Sequence, residues 1–333
     1  MPDANLWAKA KQTLQYANRV LLLCHDHADA DAINSVASFG MWLLGLGVDF
    51  RFAYFAELPD TLFLLDSSFD LRAHVETNPE AIAADVIVVL DTGAIHLLGE
   101  AGQFLSHGLP VICIDHHKSN DLFGDINIVE TSAAAACELL FDLFHDSPVE
   151  ISPNMAHSLL AGMLGDTHNL STSHVTPATL RKAADLIDLG AHRNRIIEGM
   201  PLIASIPTAK VWARLLDSIQ LAGKNNEIAY CVATQQMIAD SGLTYIKNIS
   251  SFIRNIGGVD VAVLFLEEAN QQVKVEFRSK SHIDVGKIAE ALGGGGHRGA
   301  SGCPIENMSM DEAIKVTLQT VINHVEEQGS QRQ

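Results

Sequence analysis

The chain has 333 residues, 47% hydrophobic and 19% charged, as expected for a globular α/β protein long enough for two domains. Its 40 acidic and 22 basic residues give a formal net charge of −18, and such a body would repel a long polyanion. It has no apolar run of about 18 residues, no signal-peptide pattern and five cysteines without metal-type spacing, so we expect a cytoplasmic protein without a membrane span.

The first half of the chain alternates short apolar runs with helical patterns, which indicates βαβ units and a largely parallel sheet. Proline at the first helical position after Ser152 and Thr176 predicts two helices there, running to about residues 163 and 189. Strands are further predicted near residues 19–24, 48–55, 85–90, 110–114 and 126–129, and helices near 4–17, 32–46 and 132–145.

The pattern changes at residues 191–210, where prolines and polar residues predict a connecting segment. We therefore divide the chain into a domain of residues 1–190, this linker, and a smaller α/β domain of residues 211–333. In the second domain, strands are predicted near 227–233, 259–267 and 271–279, and helices near 208–221, 284–292 and 310–324.

Acidic residues and histidines follow several of the predicted strands. Residues 25–31 read His-Asp-His-Ala-Asp-Ala-Asp after one apolar run, and residues 115–117 read Asp-His-His after another. In open α/β sheets, ligand sites lie beyond the carboxyl ends of parallel strands. We therefore expect four carboxylates to converge on one small volume, those of Asp29, Asp31, Asp91 and Asp166.

Such a carboxylate cluster requires neutralisation. Two carboxylates ~4 Å apart repel by ~4 kcal/mol at an effective dielectric constant of ~20. Carboxylates with a few imidazoles suit manganese, magnesium or another divalent ion. A single aspartate after a strand is usually a helix N-cap, and a lone histidine is usually structural, so it is the joint pattern that predicts a metal site.

This ordered pattern resembles the four motifs of the DHH phosphoesterases. Arg278-Ser279 and residues 293–302 resemble the glycine-rich signature of the associated C-terminal domain, in the branch that acts on nucleic-acid fragments. The likeness extends from about residue 15 to about residue 325, and it is greatest to the bifunctional oligoribonuclease and 3′-phosphoadenosine-5′-phosphate phosphatase group, the nanoRNases.

The resemblance implies a fold and a set of metal ligands. It implies a parallel-sheet N-terminal domain with helices on both faces, a smaller α/β C-terminal domain, and an active site in the cleft between them. It also implies two divalent ions, expected to be manganese, bridged by Asp91. One ion would be held by His25, Asp29 and Asp91, and the second by Asp31, Asp91, His116 and Asp166.

The resemblance also implies roles for residues around the metals. Asp115 would orient a histidine, and His117 would contact the scissile phosphate or protonate the leaving group. The basic residues of the stretch 270–300 outnumber its acidic ones, which favours a short anionic ligand. Substrate would be bound by Arg278, Ser279, Gly294, Gly295, Gly296 and His297.

The implied substrates are very short RNA or DNA oligonucleotides, with a mononucleotide bisphosphate as a second substrate. Hydrolysis of a cyclic or linear dinucleotide such as cyclic di-AMP is the alternative, and a catalytically inactive binding module is an alternative of another class. Whether the chain forms a homodimer is left open.

The arginines common in the family after Asp91 and after Asp166 are absent, so the residues that face the substrate differ from the usual pattern.

Overall fold

The computed structural model describes residues 4–58, 65, 69–78, 83–172, 174–200, 203, 205–243, 246, 248–268, 272–280 and 282–330. The chain divides into two compact units, Met1–Met200 and Pro201–Gln333. Among these described residues, no helix combines the length and apolarity needed to cross a membrane. The predicted active-site cleft between the domains stays a prediction.

A six-stranded parallel sheet in the order β3-β2-β1-β4-β5-β6 organises the first unit and confirms the predicted parallel α/β domain. Two segments of 3-10 helix, Leu71–His74 and Ile95–His107, accompany it. The other elements are α1 (Ala4–Gln15), β1 (Arg19–Leu23), α2 (Ala30–Gly45), β2 (Asp49–Ala53), β3 (Val75–Glu76), β4 (Val86–Leu90), β5 (Val111–Asp115), β6 (Ile126–Val129), α3 (Ala136–His145), α4 (Pro153–Asp166), α5 (Pro177–Asp188) and α6 (Arg193–Gly199).

Both faces of this sheet are buried, because alternate strand residues point to opposite sides. Leu22 and Val88 pack with the α-helices on one face, and Leu21 and Ile87 pack on the other face. In the part of the chain that the structure describes, that other face is covered by the 3-10 segment Ile95–His107 rather than by an α-helix. Gly99 within the segment has φ +53, which interrupts any regular helix there.

The second unit has a mixed six-stranded sheet in the order β11-β12-β10-β9-β8-β7, in which only β8 and β9 pair in parallel. Helices α10 and α11 pack on one face, and α7 and α9 on the other. The elements are α7 (Ile206–Asp217), β7 (Gln220–Ala222), β8 (Ile228–Ala233), α8 (Gln235–Ala239), α9 (Ile249–Arg254), β9 (Val261–Glu267), β10 (Val273–Ser279), α10 (Val285–Ala291), β11 (Gly295–His297), β12 (Ala300–Ile305) and α11 (Met310–Ser330).

Three predictions on local structure need correction. The segment predicted as a linker contains α6, because Ile196 is fully buried in the core of the first unit. The helix predicted to residue 221 ends at Asp217, because Gln220–Ala222 pair with β8 as a strand. The four consecutive glycines at residues 293–296, for which the sequence predicts a loop, are not wholly a loop, because Gly295–His297 pair with β12.

Candidate metal centre

The structure brings together the six side chains predicted to hold metal. Five of them follow strands, as the sequence predicts, but Asp166 ends helix α4 and so lies at a helix terminus rather than a strand end. His25, Asp29 and Asp31 follow β1, Asp91 follows β4, and His116 follows β5.

Asp91 lies between two groups of ligand atoms. Its Oδ2 is 3.9 Å from Nε2 of His25, and its Oδ1 is 3.4 Å from Nε2 of His116. His116 Nε2 is also 3.4 Å from Asp166 Oδ2 and 4.0 Å from Asp31 Oδ2. Within each of two groups, the ligand atoms all lie within 4.8 Å of one another: His25, Asp29 and Asp91 in one, and Asp31, His116 and Asp166 in the other.

The environment of Asp91 fits a bound cation. The residue is 2% exposed, and its Oδ1 is buried without a hydrogen-bond partner among the described residues. Burial, and then the nearby charge of Asp31, raise the pKa of the Asp91 carboxyl well above its usual value. A buried acceptor without a donor costs about 1–3 kcal/mol, so a divalent ion at this position would satisfy the carboxylate.

Backbone amides fix the orientation of Asp31 and Asp29. Asp31 accepts hydrogen bonds from the backbone amides of Ala136 (2.6 Å) and Cys137 (3.0 Å) at the N-terminus of α3, where a negative charge is favoured. Asp29 caps α2 through Oδ1, which accepts from the amides of Asp31 and Ala32. The N-cap and metal-ligand interpretations of Asp29 are therefore compatible, because each uses one carboxylate oxygen.

Two glycines of α4 let this helix approach α2 closely. A Cβ atom at Gly162 would overlap Cys137 Sγ and lie 2.7 Å from Asp31 Oδ1, and one at Gly165 would lie 2.6 Å from the Cβ atom of Ala30. The close approach places the start of α2, with Asp31, beside the end of α4, with Asp166. Gly162 was not predicted from the sequence, although a glycine inside a helix often marks close packing.

The two histidines after β5 are each oriented through Nδ1. His116 Nδ1 lies 3.3 Å from the Ala133 carbonyl oxygen, which directs Nε2 to the carboxylates. His117 Nδ1 lies 2.7 Å from Asp115 Oδ1, and Asp115 Oδ2 accepts a hydrogen bond of 2.6 Å from Asn120. Asp115 is fully buried, and the orienting role predicted for it stays a prediction. Asn120 is a member of this network that sequence reasoning missed.

The turn after Asp166 has an unusual backbone. Residues 168–170 all have positive φ, although none is glycine, and such conformations cost roughly 1–2 kcal/mol each. Thr167 stabilises the turn, because its buried hydroxyl donates to the Met163 carbonyl and accepts from the Leu170 amide. This turn stands where the resemblance to the DHH phosphoesterases predicts an arginine that this chain lacks.

Charge in the cluster predicts that metal binding releases protons. Burial opposes protonation of His116, but the interactions with Asp91, Asp31 and Asp166 raise its pKa to about 10. Burial, followed by the charge of Asp31, raises the pKa of Asp166 to about 7. At pH 7 the metal-free site therefore holds protons, the one on His116 among them, that a metal ion must displace.

We expect roughly 1–2 protons to be released when Mn²⁺ binds at pH 7, and we expect the affinity to rise between pH 6 and pH 8. Titration calorimetry in two buffers of different ionisation enthalpy measures this number. An affinity that is independent of pH, with equal heats in both buffers, would contradict the proposed ligand set.

In the second unit, two of the predicted substrate residues, Arg278 and His297, lie in register on strands that flank β12. Arg278 in β10 pairs with Ala300 in β12, and Ala300 pairs with His297 in β11, so one small residue separates the two positions. Arg278 is half-buried, and burial lowers its pKa, as does the neighbouring Arg254, while Glu276 raises it. The side chain of His297 lies outside the described residues.

Ser279 has a different environment from the one predicted. Its side chain is 1% exposed, and its hydroxyl donates to the carbonyl oxygens of Ile283 (2.8 Å) and Arg298 (3.2 Å). These bonds connect β10 to the turns before α10 and β12. We therefore assign Ser279 to holding this part of the backbone rather than to binding substrate.

The predicted glycines divide into two kinds. A Cβ atom at Gly294 would overlap Gly302 and Cys303 of β12, and Gly296 has φ +139, so both are explained by packing or backbone conformation. A Cβ atom at Gly295 would meet no atom within 4 Å. Gly295 therefore remains a candidate for close approach of a ligand to the backbone.

Known proteins resemble this chain over both units. Residues 19–163 match the family described as "DHH family, N-terminal domain", and residues 231–327 match the "DHHA1 domain". The "Bifunctional oligoribonuclease and PAP phosphatase NrnA" of Thermus thermophilus is 28% identical over 330 residues, which cover 96% of this chain and 95% of that protein.

Two further proteins extend the comparison. The "Cyclic-di-AMP phosphodiesterase PdeA" of Listeria monocytogenes is 24% identical over 241 residues, 71% of this chain but 36% of that protein. The crystal structure of an exopolyphosphatase-related protein from Bacteroides fragilis superposes with a TM-score of 0.89 at 19% identity, covering 99% of both chains. This likeness shows that the two proteins have the same fold.

Proposed function

The chain belongs to the DHH family and carries a DHHA1 domain after its DHH domain, and from this premise we propose that it hydrolyses very short oligonucleotides to mononucleotides. The two carboxylate oxygens of Asp91, which face different histidines, are the observation that carries the proposal. The likeness to NrnA over nearly the whole chain supports this substrate class and adds a bisphosphate nucleotide as a second substrate.

The proposed metal sites follow the two ligand groups, with Asp91 assigned to both because its Oδ1 lies 3.4 Å from His116 Nε2. We propose that His25, Asp29 and Asp91 hold one manganese ion, and that Asp31, Asp91, His116 and Asp166 hold another. Two such ions, when bound, supply hydroxide near neutral pH and stabilise the charge of the transferring phosphoryl group. The protein contributes fixed carboxylates, oriented by α3 and by the α2 N-cap, and these need little reorganisation on binding.

His117 is the proposed proton donor. Burial opposes its protonation, but the hydrogen bond and charge of Asp115 raise its pKa, which favours the imidazolium form relative to a free histidine. Nδ1 is directed at Asp115, and we assign Nε2 to the scissile phosphate or to the oxygen of the leaving group. Asp115 acts through His117 by holding its ring in this orientation.

Arg278 is the proposed contact with the rest of the substrate. A guanidinium binds a phosphate through two parallel hydrogen bonds, and the small residue paired with Arg278 on the neighbouring strand, Ala300, leaves space beside it. We propose a division of labour in which the first unit, Met1–Met200, performs the chemistry and the second unit, Pro201–Gln333, binds substrate. The acidic chain, with a net charge of −18, favours short substrates.

We also propose that the enzyme acts in the cytoplasm, because its five cysteines are free and buried, as expected in a reducing compartment. A cyclic or linear dinucleotide is the competing substrate, which the similarity to PdeA supports. An inactive binding module is disfavoured by the presence of all six proposed metal ligands.

Product analysis by chromatography with a substrate panel in Mn²⁺ tests the proposal. The panel contains oligonucleotides of two to 24 residues, a 3′,5′-bisphosphate nucleotide and cyclic di-AMP. We expect mononucleotides from the shortest oligonucleotides. Turnover of the cyclic dinucleotide alone would favour the competing substrate, and no turnover of any compound would favour the binding module.

A further inference from the structure

The loop between β1 and α2 carries two proposed ligands of one metal ion, His25 and Asp29. His27 and Asp29 are exposed, and the loop therefore cannot be held by burial of its side chains alone. A residue from another strand contacts it directly. Tyr54, which follows β2, is 4% exposed, and its hydroxyl lies against the loop backbone.

The Tyr54 hydroxyl bridges two positions of this loop. It donates to the Asp26 carbonyl oxygen at 2.7 Å and accepts from the Ala28 amide at 3.3 Å, one residue on either side of His27. The ring stacks on Phe52, with centroids 5.2 Å apart, which limits movement of the hydroxyl. Burial raises the pKa of the Tyr54 phenol, so the proton donated to Asp26 is retained at neutral pH.

A second contact fixes the same loop from another direction. The Asp26 amide donates to the Leu97 carbonyl oxygen at 2.8 Å, and Leu97 belongs to the 3-10 segment after Asp91. The Asp26 side chain lies against Gly99, where a Cβ atom would be 2.7 Å from Asp26 Oδ2. The loop backbone is therefore held between Tyr54 and this segment.

The ligands of the other ion are held by different elements. Asp31 is bound by the N-terminus of α3, and His116 is oriented by the Ala133 carbonyl. We propose that Tyr54 is a positioning residue that sets the affinity of the metal site formed by His25, Asp29 and Asp91, an inference that rests on the proposed function. Loss of the Tyr54 hydroxyl should lower the affinity of this site for its ion and leave the affinity of the other site unchanged.

Tyr54→Phe tests the proposal, because it keeps the buried ring and removes only the hydroxyl. Tyr230→Phe is the matched control, since its hydroxyl also makes a hydrogen bond, to Gln220 at 2.6 Å, but lies in the second unit. Mn²⁺ titration followed by the electron paramagnetic resonance signal of the free ion measures both affinities. We expect wild type and Tyr230→Phe to bind two ions equally, and Tyr54→Phe to bind one of them about tenfold more weakly.

Asp166→Asn identifies which ion is affected, because it removes a ligand of the other site only. In the double variant Tyr54→Phe/Asp166→Asn, we expect both ions to be weakened. The proposed role of Tyr54 would be overturned if Tyr54→Phe left both Mn²⁺ affinities unchanged, or if it lowered both affinities equally. A wild-type protein that binds no Mn²⁺ would instead overturn the proposed function, so the two failures are distinguishable.

Discussion

Asp91→Asn should lower kcat/KM by at least about a thousandfold, which corresponds to about 4 kcal/mol of transition-state stabilisation. The reason is the position of its carboxylate, with one oxygen toward His25 and the other toward His116. Among the six proposed ligands, it is the one assigned to both ions. An amide has one weak acceptor oxygen and no charge, and we therefore expect the variant to lose both ions.

The variant should nevertheless fold. Asp91 has φ +50, a left-handed conformation that asparagine also adopts readily, and the two side chains have nearly the same shape. Because burial and Asp31 raise the pKa of Asp91 in the folded protein, its ionised form destabilises the metal-free fold above the pKa of the unfolded chain. At pH 7.5 in a chelator, the free energy of unfolding of the variant should equal or exceed that of wild type.

Activity, Mn²⁺ stoichiometry and thermal unfolding in EDTA check these expectations together. Asp70→Asn is the matched control, because Asp70 caps the 3-10 helix Leu71–His74 and asparagine caps equally well. The control should keep full activity and both ions. An Asp91→Asn protein that remains active, or a wild-type protein fully active in the chelator, would refute the two-metal proposal.

Arg278→Ala should lower kcat/KM for a dinucleotide by roughly tenfold to a hundredfold, because hydrogen bonds to charged groups contribute about 1.5–3 kcal/mol. Hydrolysis of bis-p-nitrophenyl phosphate, which has no second nucleotide to hold, should change by less than about threefold. Metal binding should be unchanged, since Arg278 belongs to the second unit.

The control for this change is Lys274→Ala. Lys274 lies on the same strand, four residues before Arg278, and is exposed. Its replacement by alanine removes one positive charge, as Arg278→Ala does. Steady-state kinetics with both substrates compare the two variants. If the small ester loses as much rate as the dinucleotide in Arg278→Ala, Arg278 acts on the reacting phosphate, and the proposed division of labour is wrong.

Much of the molecule could be predicted because its strongest signals are local. The apolar runs predicted β1, β4, β5 and β6 to within one residue at each end, since buried parallel strands are continuous apolar segments. The strand β2 ends two residues before its predicted limit, and the two-residue strand β3 was not predicted. The family, the fold and the phosphodiesterase class are likewise confirmed. His25, Asp29 and Asp91 were predicted to meet because strand ends of a parallel sheet share one edge.

The residues that were missed depend on contacts distant in the sequence. Tyr54 contacts a loop 26 and 28 positions earlier, and Gly162 matters because Asp31 and Cys137 lie against it. Neither contact leaves a periodic or compositional pattern. Ser279 was placed in the substrate site because of its neighbour in the motif, whereas its burial follows from strand alternation, which directs Arg278 and Ser279 to opposite faces.

Hydrolysis of short oligonucleotides is best tested by measuring kcat/KM as a function of strand length at two salt concentrations. Because the protein has a net charge of −18, each substrate phosphate that extends beyond the local basic residues is attracted to it only weakly. We predict the highest kcat/KM for about two to four nucleotides, a decline above about ten, and a shallow dependence on salt, because only a few phosphates are neutralised. Rates that rise steadily with length and fall steeply with salt would contradict the account and indicate a processive exonuclease.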